Sequence, residues 1–438
     1  MDLTAAKQFI IGLGPVVDVK LLQSAIRRIS QSTGRISTSP DDYTLLCRTL
    51  LDKVSPVLIR NHDPIIEEAW IHMEKFFLFG SPAIAFDELC SILNVNPEFG
   101  EVAARILVLF VSKSTGGVSR LTHVLQRANR PEIVTSLLHL PSRITNVLLS
   151  TSLTEPNPQE MVDEDEYFGS IADAMFHQPL TSDVERESIM KDLIARMVTL
   201  KRSETLIHRF VLLGNTDKLV SMVSVAPHRA LDPLLRALLD QKLETRRQEK
   251  QMSDALGSLL RDNVFVRDVC THVIPFQRPL FRRPRTALKR LARIVVRTCA
   301  HDIAEDALMT AAERWSSEDF SAFEDIRVQR QITRLLLYYL KYTSKSQTES
   351  TSIAHSVMMT LVDGVHARLD ANDVRLRRHG MVVGEASSRY SRDKTVLHFE
   401  RERAKDVQQL EKRAIGDDLA EDGGDTDFFR FGERGRGT

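Results

Sequence analysis

The sequence predicts an all-α, HEAT-like α-solenoid of stacked helical hairpins, and three observations carry that prediction. Apolar residues recur at helical spacing in segment after segment, Gly and Pro punctuate the chain at intervals of one or two helices, and no series of strands alternates with them. Glycine, at 19 of 438 residues, and aromatics, at 6%, are low for a β-sandwich or an α/β nucleotide-binding protein, whose turns and phosphate loops consume glycine. The length suits two or three ordinary domains at about 150 residues each, but stacked arrays are not bound by that rule. With 42% hydrophobic and 27% charged residues, and 59 bases against 59 acids, the balance is that of a soluble globular protein with no strongly polyanionic partner implied.

Taken in order, the elements are read as follows. The opening Met1-Asp2-Leu3-Thr4 lacks a basic leader, and the apolar run 106–111 is too short to span a bilayer, so a cytoplasmic and nuclear location is expected. Breaks fall at Asn61-His62-Asp63-Pro64, Gly80-Ser81-Pro82, Asn129-Arg130-Pro131, Ala226-Pro227 and Arg283-Pro284, with Pro placed just inside helix starts, where its missing amide costs nothing. The acidic run 160–166 follows Pro156 and Pro158 and reads as a surface loop or an insertion between repeats, and as a candidate interaction surface. From Ser182 a capping box with Glu185 opens a helix whose apolar face is Met190, Leu193, Ile194 and Met197. Leu213-Gly214-Asn215-Thr216 supplies a C-terminal glycine and then a Thr able to cap the next helix. A β-like patch at 395–399 stands alone. The helical-repeat domain is placed at 1–409, and 410–438 is acidic, Gly-rich and expected to be disordered tail or linker. No strict sequence period is visible, yet consecutive short amphipathic helices favour a degenerate solenoid over a compact bundle.

Catalysis has no visible anchor, so the chain is not expected to be an enzyme, and no cofactor or metal is implied. Gly12-Leu13-Gly14 and Ser114-Thr115-Gly116-Gly117 complete no nucleotide fingerprint, and neither a nucleophile elbow nor a zinc-protease helix occurs. The histidines are scattered singly, so His208 and His355 read as packed or surface residues. Paired carboxylates such as Glu67 and Glu68 carry no specific acid–base meaning in so charged a chain. Cys47, Cys90, Cys270 and Cys299 lie far apart with no metal-ligand spacing and read as reduced, mostly buried thiols.

The strongest electrostatic feature is the stretch 278–297. Leu288, Leu291, Ala292, Val295, Val296 and Cys299 form the apolar stripe of a helix, with Lys289, Arg290, Arg293 and Arg297 on the opposite face and Arg282, Arg283 and Arg285 just ahead. Such a surface can grip an acidic protein, a phosphopeptide or nucleic acid. The plainer reading is a helix face neutralised by carboxylates of neighbouring repeats, and no aromatic platform for bases accompanies the charges.

Two stretches go beyond composition. Residues 67–93, with Trp70, Phe76, Phe77, Gly80, Ala85, Phe86 and Leu89, resemble an early helix pair of the telomere length regulation protein family. Residues 362–399 resemble the close of that family's N-terminal solenoid half, through Gly364-Val365, Arg368-Leu369-Asp370, Arg375, Arg378, Gly380-Met381-Val382-Val383, Glu385, Ser388 and Leu397-His398-Phe399. A looser match, Trp315 with Arg327, Gln331, Ile332 and Leu335 to Leu340, lies between them. The resemblance implies a scaffold or co-chaperone adaptor acting with two other helical-repeat proteins and the heat-shock protein 90 machinery. Its clients would be phosphatidylinositol-3-kinase-related kinases, among them the TOR and DNA-damage checkpoint kinases. Family members look about twice as long, so the resemblance implies that this chain is a fragment or a short isoform. The competing expectations are a HEAT-like transport or phosphatase scaffold and a nucleic-acid binder acting through the basic helix.

Overall fold

The structure, a computed structural model, describes residues 2–13, 18–37, 39–54, 64–93, 97–127, 131–151, 161–178, 184–277, 281–282, 284–346, 355–390 and 397. Among them every regular element is helical. The first half contains α1 (Leu3–Ile11), α2 (Val19–Gln31), α3 (Thr33–Ile36), α4 (Pro40–Thr49), α5 (Pro64–Phe79), α6 (Pro82–Ile92), α7 (Pro97–Val111), α8 (Gly117–Arg127), α9 (Pro131–Thr151), α10 (Glu164–Phe176) and α11 (Val184–Thr199). The second contains α12 (Ser203–Leu213), α13 (Thr216–Val225), α14 (His228–Leu239), α15 (Arg246–Asp262), α16 (Val264–Asp268), α17 (Pro284–Thr298), α18 (His301–Ser316), α19 (Glu318–Phe323), α20 (Ile326–Ser346), α21 (His355–Leu369) and α22 (Val374–Tyr390). Short π-helical turns, Leu50–Val54 and Val269–Val273, extend α4 and α16. No helix among the described residues is long and apolar enough to cross a membrane.

These helices form two parallel ribbons. In one, α1, α4, α6, α8, α10, α12, α14, α16 with its π turn, α18 and α21 each pack on the next; in the other, α2, α5, α7, α9, α11, α13, α15, α17, α20 and α22 do the same. The chain alternates between the ribbons, so every repeat is a hairpin that meets chiefly its neighbours, which is the architecture of a solenoid. A period hidden from the sequence shows in the polar ties between repeats. Lys7 pairs with Asp42, Arg48 with Glu88 and Arg209 with Asp173, while Gln251 donates to the Gly214 carbonyl and Arg236 to that of Ile274, all spanning 35 to 40 residues. Each span is one helix pair.

Local chemistry sets the helix ends. Pro40 and Pro82 occupy the first turns of α4 and α6. Gly214 closes α12 in the left-handed region at φ 71°, as expected for a C-terminal glycine. The cap of α13 is Asn215, not Thr216: the Asn215 backbone is still extended, its side chain accepts from the Lys218 amide at 3.0 Å, and Thr216 is already helical. The capping box expected at Ser182 lies outside the described residues, but one forms at α15, where the Gln248 amide donates to Thr245 Oγ1 at 3.2 Å and Gln248 Oε1 accepts from the Thr245 amide.

The acidic run near Asp163 is a helix start rather than a loop. Asp163 accepts from the amides of Asp165 and Glu166, and Glu164, Asp165 and Glu166 sit in the first turn of α10, where the helix dipole favours carboxylates. Of the isolated patch at 395–399 only Leu397 is described, its amide donating to Ser388 Oγ at 3.0 Å. The boundary placed at 409 and the tail beyond it lie outside the described residues.

Between the ribbons runs one continuous apolar core. Leu193, Ile194 and Met197 are fully buried as their spacing requires, with Met190 half-buried beside them. Tyr43, fully buried, donates from its hydroxyl to the Phe76 carbonyl at 3.2 Å, and Gly80 makes room for its ring: a Cβ there would overlap the hydroxyl.

Candidate functional site

The basic helix α17 exists because Ala287, Leu288, Leu291, Ala292, Ile294 and Val295 are buried along one side, leaving its cations on the other. Arg285, Lys289, Arg293 and Arg297 recur every four residues and make a stripe along the helix. Arg293 donates to Glu249 Oε1 of α15 at 2.8 Å, and this bond, with the charges of Arg293, Arg290 and Lys289, holds the Glu249 carboxyl below the usual carboxylate range. Arg282 donates from its backbone amide to Asp240 and from its side chain to Glu204 Oε2 at 2.8 Å. Arg297 is exposed and Arg285 half-buried, while Arg283 lies outside the described residues.

Arg290 corrects the expectation of a shared solvated face. It is 5% exposed, and its guanidinium donates to the carbonyls of Leu239 and Gln241, satisfying groups left open at the end of α14. Helical spacing alone sets Arg290 beside Arg297 on the polar face; the neighbouring repeat covers one and not the other.

The charge pattern extends well beyond α17, and sequence reading missed this. Its own ribbon continues through α20 and α22. Helix α17 has five Lys or Arg and no acid, α20 has Arg327, Arg330, Arg334, Lys341 and Lys345 and no acid, and α22 has four arginines and the single acid Glu385. The facing ribbon is the reverse: α18 holds Asp302, Glu305, Asp306 and Glu313 against Arg314, α19 holds Glu318 and Asp319, and α21 sets Asp363 against Arg368. The last three repeats are therefore electrically split between ribbons. Tallying charge on alternate helices, rather than along the chain, would have exposed the pattern.

At the end of this split face lies a buried cationic cluster. Arg368 of α21 is fully buried, its guanidinium 3.8 Å over the Trp315 ring, and Nη1 donates to the Gly364 carbonyl at 3.4 Å. Its Nε and Nη2 have no partner among the described residues, and burial pulls its pKa down to about 10. Trp315 is anchored by Nε1 donating to Thr333 Oγ1 at 3.0 Å. Within reach of the Arg368 charge, His379 has its pKa lowered to about 4, by burial first and then by the charges of Arg368, Arg330, Arg334 and Arg378. Gly364 and Gly380 close the junction. A Cβ on Gly364 would overlap Ser316 Oγ and meet Trp315 at 2.8 Å, and one on Gly380 would meet Arg368 Cβ at 3.0 Å. Gly380 thus admits the preceding helix, α21.

Cys47, Cys90 and Cys270 are buried and Cys299 is half-buried, all as free thiols. Burial pushes the Cys90 thiol up to about 12 and raises the other three, so these sulfurs are protonated and poor nucleophiles at neutral pH. His208 faces Gln241 at 3.2 Å, and His355 is an exposed residue at the start of α21. Among the described residues no three His, Cys, Asp or Glu side chains converge at metal-binding distance.

No family model matches the chain. Among solved structures it is similar to a chain of a crystal complex of SYS-1/POP-1, with 10% identity over 95% of this chain and 85% of that one and a TM-score of 0.30. It is also similar to a circular tandem repeat protein of novel repeat topology, with 11% identity over 95% of this chain and 97% of that one and a TM-score of 0.23. Likenesses this loose bear on neither function nor partners.

Proposed function

We propose that this chain is a non-catalytic scaffold and co-chaperone adaptor of the telomere length regulation type, serving the maturation and stability of phosphatidylinositol-3-kinase-related kinases. In this reading it acts in the cytoplasm and nucleus with two other helical-repeat proteins and the heat-shock protein 90 machinery, and needs no cofactor. A two-ribbon solenoid suits the task because stacked repeats expose a long surface to large partners.

The observation that supports the family reading is the convergence of residues far apart in sequence. Trp315, Gly364, Arg368 and Gly380 all belong to the resembling pattern, and all meet at one junction of α18, α21 and α22. In the other resembling stretch Phe76, Phe77, Phe86 and Leu89 are buried together, with Trp70 half-buried beside them.

Affinity capture of residues 1–438 from native cell extract, with identification by mass spectrometry, tests the proposal. Recovery of the kinases together with two helical-repeat subunits is the expected result. Recovery of a transport GTPase or a phosphatase catalytic subunit without kinases would move the chain to the competing scaffold class.

A further inference from the structure

In the early and middle repeats, carboxylates of the ribbon that begins at α1 are tied to cations of the adjoining repeat: Asp42 to Lys7, Glu88 to Arg48 and Asp173 to Arg209. The last stretch of the same ribbon departs from this. Asp302 and Glu313 of α18, Glu318 and Asp319 of α19 and Asp363 of α21 are exposed, and their carboxylates have no ion pair or hydrogen bond among the described residues. Arg314, the exposed Arg of these helices, lies over the Phe320 ring rather than against a carboxylate.

Apolar side chains stand among these acids. Phe323, at the end of α19, is 86% exposed, more than any other large apolar side chain among the described residues, and Met359 and Val362 of α21 are 50% and 41% exposed. Half-buried Met309 of α18 has its Sδ 4.0 Å from Thr360 Oγ1, and Ser316 Oγ donates to the Thr360 carbonyl at 2.7 Å, so α18 and α21 lie side by side with Met309 at their seam. Helical spacing then orders the surface: Met309 is one turn from Glu313, and Met359 one turn from Asp363. Helix α19 packs against both helices.

We propose that this face docks a basic amphipathic helix of another protein, its apolar anchors on Met309, Met359, Val362 and Phe323 and its lysines or arginines against the open carboxylates. The sign of the charge selects the partner: the face attracts cations and repels nucleic acid and anionic lipid headgroups. Its shape suits a helix, because two helices side by side offer a groove into which the ridge of a third can pack. Methionine adds a flexible, polarisable lining that moulds to a partner's anchors. Exposed ion pairs hold weakly one at a time, so the acids set orientation and encounter rate while the buried anchors hold the complex. This inference does not depend on the kinase-maturation reading and can fail or succeed apart from it.

Fluorescence anisotropy of the full chain with a labelled peptide tests it, the peptide being about 18 residues, or about five turns, with leucine at i, i+3, i+4 and i+7 and lysine elsewhere. Saturable binding with a gain of helix in the peptide is the expected result, several-fold weaker at about 1 M salt, where the screening length falls to about 3 Å. Phe323→Ser with Met359→Ser should weaken the complex about tenfold, and Glu313→Gln with Asp363→Asn should weaken it and flatten its salt dependence. All four side chains are exposed, so these variants should keep the parent's thermal midpoint. The matching pair on a distant helix, Ile71→Ser with Phe79→Ser, should bind as the parent does. A benzophenone in place of the central leucine should link to Met309 and Met359. Absence of binding, equal binding of a scrambled peptide, affinity unmoved by the α18, α19 and α21 variants, or links to exposed Met161 instead would each overturn the proposal.

Discussion

A charge carried into an interior must be held there by something. Arg368 is held by the π face of Trp315, a contact of the cation–π kind that strengthens as water is removed. His379 is affected in turn: its burial first, and then the charges of Arg368, Arg330, Arg334 and Arg378, keep it neutral well below the usual histidine range. Its folded pKa of about 4 lies below the unfolded value near 6.5. Between those limits the unfolded chain binds more protons, so stability falls as pH drops from about 6.5 toward 4, by about 2 kcal/mol after allowance for the ring's partial exposure. Urea titrations at pH 7 and pH 4.5 should show a smaller loss of midpoint in His379→Gln than in the parent chain. Equal losses would assign the acid sensitivity to other groups.

At the scale of single helices, the ends are decided by one side chain each. Because Asn215 accepts from the Lys218 amide and Thr216 is already helical, Asn215→Ala should cost about 1 kcal/mol and Thr216→Ala only a few tenths, read as shifts in thermal midpoint. The reverse order would restore Thr216 as the cap. Much of the helical layout is legible in the sequence, since periodicity over Met190, Leu193, Ile194 and Met197 and the prolines at helix starts are local facts. What escapes it is tertiary. The run at Glu164 to Glu166 looks like solvated loop in a string of letters, and only the bonds from its amides to Asp163 make it a first turn. Arg290 looks like its exposed neighbours because the carbonyls that claim it, Leu239 and Gln241, lie about fifty residues away. The family-like residues 364, 368 and 380 are visible in sequence, but the reason for their types, a junction packed around Trp315, is not.

Across the whole molecule, a solenoid stores its stability in nearest-neighbour interfaces, so damage at one end need not reach the other. Gly364→Val places a branched side chain where even a Cβ would meet Ser316 and Trp315, which should open the last repeats by several kcal/mol. Hydrogen exchange should then quicken in α18, α21 and α22 while amides of α5 to α8 keep their protection. Uniform loss of protection would show a single cooperative unit instead. The division of charge between the two ribbons has a further consequence for motion. Opposite signs on opposite flanks give the final three repeats a transverse electric dipole, and a dipole feels a torque in the field of any highly charged body that drifts near. An incoming partner of either sign would find the rod already turned toward it, with encounter rates that fall steeply as ionic strength rises.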